Sequence, residues 1–266
     1  MPTHVESRQA NGNEQRTGVY IYGIVPGDVE LVPDAHGIGD PSGEVTLVRH
    51  GRLAALVSEI DLGRPIGRPA DLKLHEQLLD ATAAADVPVV PMRFGAVMAS
   101  PETVVEELLT PHHDLFAEAL GELDGRVEYV VYGRFVEDAV LAQVISDNPA
   151  VASQRERLRS MPREAAVDAR IELGQIVNSA IEASRDRETA KLIDTLDPLV
   201  LAEAVRPPTS ELDAFHVAFL VELDRTDEFG DAVEKLAAES DALIEVRMRG
   251  PLAAFDFMMT SKPNGN

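Results

Sequence analysis

The stretch from Val87 to Ala99, which reads VPVVPMRFGAVMA, restricts the possible folds of this chain more than any other segment. It begins as a short apolar run of the kind that a buried strand needs, but two prolines, Pro88 and Pro91, interrupt it. Proline has no N–H to donate to a sheet, so both residues must lie at an edge, at a strand end or at a bulge. The stretch therefore predicts a strand that ends early and then turns.

A charged residue follows this strand where a core pattern would have none. Arg93 stands between Met92 and Phe94, and Gly95 comes next, a residue suited to positive φ or to a close approach of the backbone. Two interpretations are open. Arg93 is an arginine at a strand end that pairs with a nearby carboxylate, or the PMRFG segment forms a surface for a partner.

The charge of the chain restricts its partners. Of its 266 residues, 24 are Lys or Arg and 46 are Asp or Glu, which gives a formal net charge of −22. Such a charge repels phosphate backbones and anionic lipid, since affinity for nucleic acid depends on cations that neutralise phosphates. We therefore expect neither nucleic acid nor a membrane as a partner.

Residue usage narrows the chemistry further. The chain has no cysteine, which excludes disulfides, thiolate metal sites and thiol catalysis, and is compatible with a reducing cytoplasm. No apolar N-terminal run follows a basic start, and no segment approaches the roughly 20 apolar residues that a membrane span needs. We expect a soluble, cytoplasmic protein.

Apolar periodicity predicts an α+β protein with two domains. Residues 1–17 read as a disordered tail, and residues 260–266 as a flexible one. Residues 18–123 predict a modified ferredoxin-like domain, an antiparallel sheet with helices on one face. Residues 124–259 predict a helix-rich α+β domain. The main strands predicted are Val19–Val25, Val45–Arg49, Leu53–Ile60, Arg126–Phe135, Phe215–Leu223 and Ala242–Arg249.

Two predictions concern the second half of the chain. A helical period continues from Leu192 to Ala204, with Pro198 bending or splitting the helix. Further on, Gly250-Pro251 predicts a turn into a last apolar strand, Leu252–Met259.

No group of residues predicts catalysis or a metal site. His112 and His113 are neighbours on a predicted helix and point about 100° apart, so they do not converge on one ion. His75 lies on the apolar face of its helix, which favours a core histidine bonded to a backbone carbonyl over a catalytic base. Ser58 and Ser100 lack the glycine-flanked turn of a serine nucleophile. We expect no cofactor.

The motifs resemble those of one family in their expected order. The run from His75 through PMRFGAV resembles the signature of the gas vesicle accessory proteins of the GvpF/GvpL family. Tyr20–Val25, Phe215–Leu223 and the Gly250-Pro251 step resemble the family's first strand and last segments. The chain departs from the family after Pro251, where LAAFDF replaces a tryptophan, prolines and a tyrosine.

The resemblance implies a non-enzymatic accessory or minor structural protein of gas vesicle assembly. Such a protein is cytoplasmic or vesicle-associated and binds the small, apolar shell protein GvpA and other accessory proteins. Two other classes are open: a small-ligand-binding regulatory module with a ferredoxin-like domain, and a hydrolase that uses His75 and Arg93. The residues that the resemblance implies for partner binding are Pro91, Arg93, Phe94, Gly95, His75, Gly250 and Pro251.

Overall fold

The computed structural model describes residues 17–31, 35–39, 43–63, 65–162, 167–240 and 242–258. Of the tail predicted for residues 1–17, Thr17 is instead the first residue of a strand, and the rest lies outside these ranges. The tail predicted for residues 260–266 also lies outside them. The strands are β1 (Thr17–Pro26), β2 (His36–Gly37), β3 (Gly43–His50), β4 (Leu53–Asp61), β5 (Val90–Pro91), β6 (Val97–Met98), β7 (Arg126–Phe135), β8 (Ala202–Val205), β9 (Asp213–Glu222) and β10 (Ile244–Leu252). The α-helices are α1 (Pro69–Ala84), α2 (Pro101–Thr103), α3 (His113–Leu123), α4 (Glu137–Asp147), α5 (Pro149–Ser160), α6 (Val167–Leu196) and α7 (Thr226–Ser240).

The chain divides into two compact units. The first comprises the described residues within Met1–Leu79 and Met92–Ala117, and the second those within Asp80–Pro91 and Glu118–Asn266. The predicted class, α+β with antiparallel sheets and helices, is confirmed. The predicted domain boundary near residue 123 stays a prediction.

The first sheet is built around β1, which is buried along almost its whole length. Within the first unit its strand order is β2-β3-β4-β1, and β6 also pairs with β1. β3 and β4 form the predicted hairpin, with His50 opposite Leu53 and Gly51 in the left-handed conformation that its tight turn requires. The strand in the VPVVPMRFG stretch ends early, as the prolines predicted, because β5 is only two residues long.

A helical segment follows β6 and breaks where the sequence predicted. Ser100 caps α2 by accepting a hydrogen bond from the Thr103 N–H, and Pro101 occupies the first helical position. The helix continues as a π-helical segment, Val104–Leu109, and α3 begins two residues after Pro111. The π-helical geometry is not a feature that the sequence predicted.

The second unit has the βαββαβ plan of ferredoxin-like domains. Its elements follow the order β7, α4 to α6, β8, β9, α7 and β10, and its sheet has the order β10-β7-β9-β8 with antiparallel neighbours. Counted along the chain, this order is 4-1-3-2. The sequence predicted a ferredoxin-like sheet for the N-terminal domain, but the strand order of the first sheet differs from it, and the plan occurs in the second unit.

Two local predictions for the second half were wrong. Helix α6 ends at Leu196, a short 3-10 turn contains Pro198, and Ala202–Val205 is the strand β8, because pairing with β9 outweighs the local helical period. Gly250-Pro251 does not start a new strand either. β10 continues through these residues to Leu252 with a shift in register, and residues 253–258 form no strand.

None of the helices in the described part of the chain combines the length and apolar character that crossing a bilayer requires.

Candidate functional site

A buried hydrogen-bonded chain in the first unit anchors the backbone of the PMRFG motif from Met92 to Gly95. The Nδ1 of His75 lies 3.0 Å from the Oη of Tyr20, and its Nε2 lies 3.1 Å from the carbonyl oxygen of Met92. The N–H of Gly95 donates to the same Tyr20 Oη at 3.1 Å. Two side chains, one from strand β1 and one from helix α1, therefore fix the backbone on both sides of Arg93.

The hydrogen-bond partners define the tautomer of His75. A carbonyl oxygen only accepts, so the Nε2 of His75 carries the proton that is donated to Met92. The Nδ1 is then the acceptor for the Tyr20 hydroxyl, and that hydroxyl oxygen accepts from Gly95. Since both ring nitrogens are engaged, the described geometry leaves His75 no lone pair for use as a catalytic base.

Burial keeps this chain of groups uncharged. Desolvation raises the pKa of the Tyr20 phenol to about 12 and lowers the pKa of His75 below its ordinary value. The ring of Phe94 contacts the rings of both residues edge-on, with centroids 6.1 Å from Tyr20 and 5.6 Å from His75. The core of the first unit therefore holds Phe94 by its ring as well as by its backbone.

The motif residues differ in exposure. Arg93 and Gly95 are exposed, and Pro91 and Phe94 are partly exposed. Gly95 has a φ of 90°, in agreement with the prediction that a glycine here allows a positive φ. His75 is only 1% exposed, so it cannot touch a partner directly, contrary to its inclusion among the partner-binding residues. The prediction of a core histidine bonded to a backbone carbonyl is confirmed.

The Gly250-Pro251 step lies near the end of β10 in the second unit. Gly250 is exposed, and a Cβ at this position would overlap the ring of Tyr129 on the neighbouring strand. Glycine is therefore required by the close approach of an aromatic ring to the backbone. The ring of Phe229 packs against that of Tyr129 in a tilted arrangement, with centroids 5.4 Å apart. Gly250 therefore packs against the aromatic core of this unit through Tyr129.

A partly buried ionic cluster follows the same step, and no sequence motif pointed to it. The Nη2 of Arg206 donates to Glu128 Oε1 at 3.0 Å and also to the carboxylate of Asp256. The Nε of Arg206 donates to both carboxylate oxygens of Asp256, at 3.2 and 3.1 Å. The backbone N–H of Asp256 donates to Glu128 Oε2 at 3.0 Å. Arg206 thus ties the segment after β10 to the sheet.

The two carboxyl groups of this cluster titrate differently. Glu128 is 1% exposed, and burial raises its pKa to about 8, aided by the neighbouring Asp256 carboxylate. Burial opposes ionisation of Asp256 as well, but the hydrogen bonds from Arg206 outweigh it and lower the pKa of Asp256. Near neutral pH the proton therefore resides on Glu128, and Asp256 is the anion that pairs with Arg206.

The described residues contain no group of three or more His, Cys, Asp or Glu side chains arranged to hold a metal ion. His113 bonds its own neighbour Asp114 at 3.0 Å, and His112 lies against the ring of Phe116 instead. The two histidines therefore have different partners, and only His113 lies on α3, as its first residue.

Three comparisons give the relatives of the chain. The family described as gas vesicle synthesis protein GvpL/GvpF matches residues 18–259. Gas vesicle protein F of Streptomyces sp. (strain CB03234) is 36% identical over 90% of this chain and 98% of its own length. Gas vesicle protein L of the same strain is 28% identical over 90% of this chain and 91% of its own length.

The same fold occurs in solved structures. The crystal structure of the gas vesicle protein GvpF from Anabaena sp. PCC7120 aligns with a TM-score of 0.77 and 24% identity. The alignment covers 92% of this chain and all of that one. The structure of GvpF from Microcystis aeruginosa aligns with a TM-score of 0.70 and 22% identity over 91% of this chain and 98% of its own. The described fold is therefore one that has been observed experimentally.

Proposed function

The chain belongs to the GvpL/GvpF family of gas vesicle synthesis proteins, and from that premise we propose that it binds the apolar shell protein GvpA and other accessory proteins during assembly. It acts in the cytoplasm and at the vesicle, without catalysis and without a cofactor. The family membership itself supports the coarser role, that of an accessory protein of gas vesicles.

One observation supports shell-protein binding above the others: the chain is strongly acidic, and each outermost strand of its second sheet pairs on one side only within the described residues. β8 and β10 are the outermost strands of that sheet, and the net charge is −22. A subunit that builds a gas-filled wall exposes apolar surface and strand edges before assembly, and both promote aggregation. Pairing with such edges would cover them, while the charge keeps the complex in solution.

The PMRFG motif and the Gly250-Pro251 step supply further contact surfaces in this proposal. Arg93, Phe94 and Gly95 contact the partner, and Pro91 shapes the segment that carries them. His75 acts from the core, since it holds the backbone of Met92. Gly250 and Pro251 contribute their own surface, separate from the open edge of the preceding part of β10.

Co-purification with the shell protein tests the proposal. We expect the two proteins to elute as one complex in size-exclusion chromatography. We also expect light scattering by the shell protein, diluted from denaturant, to fall when this chain is present. An acidic protein of similar size and charge from outside the family is the control for simple charge effects. Separate elution together with unchanged scattering would contradict the proposal.

A further inference from the structure

A pocket of about 630 Å³ lies in the second unit between helix α6 and the ends of β8 and β9. Its volume is in the range that small ligands or a few side chains fill. Ile193, Phe215 and Pro207 give it apolar walls, and Val205 on β8 stands at its side. The pocket therefore suits an aliphatic side chain from a segment that runs along β8.

Arg185 places a guanidinium in the lining of the same pocket. Its Nε donates to the carbonyl oxygen of Asp213 at 2.7 Å, and its Nη2 donates to that of Glu211 at 2.8 Å. In the described part of the chain no carboxylate lies within ion-pair distance of this guanidinium. Two carboxylates also line the pocket: the exposed Asp186, and Asp213, whose carboxylate already accepts hydrogen bonds from Thr209 and Tyr132. The other guanidinium in the lining, that of Arg206, is paired with Glu128 and Asp256. The fixed Arg185 is thus complementary to a carboxylate from outside.

The edge of β8 offers main-chain groups beside this pocket. The Arg206 N–H donates to the His216 carbonyl, and Ala204 lies opposite Ala218. In an antiparallel pair the hydrogen-bonded positions alternate, so Glu203 and Val205 direct their N–H and C=O groups away from β9. Val205 is 60% exposed, and Leu201, just before the strand, is 46% exposed.

The other open edge of this sheet is less suited to an apolar strand. On β10, Glu245, Arg247 and Arg249 are exposed, and charged side chains on an edge strand discourage pairing. β8 carries only one charged residue, Glu203, and its other outward residue is the apolar Val205. Pro207, which has no N–H, limits the length of edge that a partner can use at β8.

We propose that β8 and this pocket bind an extended segment of the shell protein that carries an aliphatic side chain and a carboxylate. The main chain of the segment pairs with Glu203 and Val205, as in strand addition to a sheet edge. Its aliphatic side chain enters the pocket, and its carboxylate pairs with Arg185. This inference rests on the proposed function, because the shell protein is the source of the segment.

Two substitutions of Val205 test whether the β8 edge binds the segment. Val205→Pro removes one outward N–H and leaves the β8–β9 hydrogen bonds in place, since proline is tolerated where the N–H of an edge strand faces solvent. Val205→Asp keeps the N–H but removes the aliphatic surface. It also adds a negative charge to that of Glu203 on β8, and this charge repels the incoming carboxylate. Met248→Pro is the matched control, because Met248 is an outward position of β10 on the same alternation.

The binding assay uses the full-length chain and synthetic ten-residue peptides that together span the shell protein. We expect at least one peptide with both aliphatic and acidic residues to bind. Val205→Pro and Val205→Asp should each weaken that binding at least tenfold, and Met248→Pro should leave it within twofold. Replacing the peptide's carboxylate by an amide should weaken binding to the wild-type chain at least fivefold, as loss of the partner of Arg185 requires.

The outcomes distinguish this inference from the proposed function. If whole shell protein and peptides bind equally well to the wild-type chain and both Val205 variants, the docking site is wrong while the proposed function stands. Loss of binding with Met248→Pro instead would overturn the inference in favour of the β10 edge. If the wild-type chain binds neither the shell protein nor any peptide, the proposed function fails, and this inference fails with it.

Discussion

The Oη of Tyr20 and the Nδ1 of His75 lie 3.0 Å apart in the core of the first unit, although 55 positions separate them in the chain. This pair joins strand β1 to helix α1. Through Met92 and Gly95, it also fixes the backbone that carries Arg93 and Phe94. The shape of a surface segment is therefore specified by two buried side chains that lie far from it in sequence.

Replacing His75 by alanine should destabilise the protein strongly. The substitution leaves the Met92 carbonyl without its donor and creates a cavity, so we expect the free energy of unfolding to fall by about 2–4 kcal/mol. Tyr20→Phe retains the ring and should cost about 1–2 kcal/mol. Urea denaturation followed by circular dichroism measures both changes.

His112→Ala is the control for this pair, because His112 is exposed. It should change the free energy of unfolding by no more than about 0.5 kcal/mol. Equal stabilities of the His75 and His112 variants would show that the buried hydrogen bonds do not support the motif.

Local signals in the sequence predicted several individual elements well. Pro88 and Pro91 predicted an early strand end, and His50-Gly51-Arg52 predicted the hairpin. Ser100-Pro101 predicted a helix start with a side-chain cap. In each case the geometry follows from the missing N–H of proline, from the tight turn that glycine permits, or from a hydroxyl that accepts a backbone N–H. Such constraints act within a few residues and need no knowledge of the fold.

The features that the sequence did not predict depend on pairing between residues far apart in the chain. Residues 202–205 share a helical period with α6, but their pairing with β9 makes them a strand. Glu128 lies within the apolar run of β7, and its partners Arg206 and Asp256 are 78 and 128 positions away. No spacing rule connects residues so far apart, because only the order of the strands brings them together.

Arg93→Ala tests the surface role of the PMRFG motif. Arg93 is exposed, and interactions of exposed charges contribute at most about 1 kcal/mol, so we expect the melting temperature to change by only a few degrees. Capture of the shell protein should nevertheless weaken, because the proposal places Arg93 at the contact. A lower melting temperature with unchanged capture by the folded fraction would assign Arg93 a structural role instead.

The pKa of Glu128 predicts how stability depends on pH. The folded pKa of about 8 lies above the ordinary value of 4.5, so between these values the folded protein holds a proton that the unfolded chain has lost. This group's contribution to stability is therefore present below pH 4.5 and declines as the pH rises towards 8.

Glu128→Gln removes this titration while it keeps the shape of the side chain. The free energy of unfolding of the wild type minus that of the variant should fall as the pH rises from 5 to 8, by up to about 1.4 kcal/mol per unit. Urea denaturation at several pH values gives this difference, in which the titrations of all other groups largely cancel. A difference that does not change with pH would contradict a raised pKa for Glu128.

Elemental analysis tests the proposal that this protein acts without a bound metal ion. The purified chain should contain well below one equivalent of zinc or iron, since no three metal ligands come together among the residues that the structure describes. Hydrolase substrates with ester and amide bonds should turn over no faster with the wild type than with a preparation of His75→Phe. Stoichiometric zinc or iron that survives dialysis against a chelator would contradict the proposal.

The response to salt distinguishes strand pairing from charge attraction in the shell-protein complex. Salt shortens the reach of exposed charges to about 3 Å at 1 M, while main-chain hydrogen bonds and apolar contacts persist or strengthen. In the proposal the charge of −22 serves mainly solubility, so the affinity should stay constant or rise between low salt and 1 M salt. The single pair with Arg185 lies in a partly buried pocket, where screening is weaker. A fall of more than about tenfold, or about 1.4 kcal/mol, would mean that long-range attraction holds the complex and that strand pairing does not.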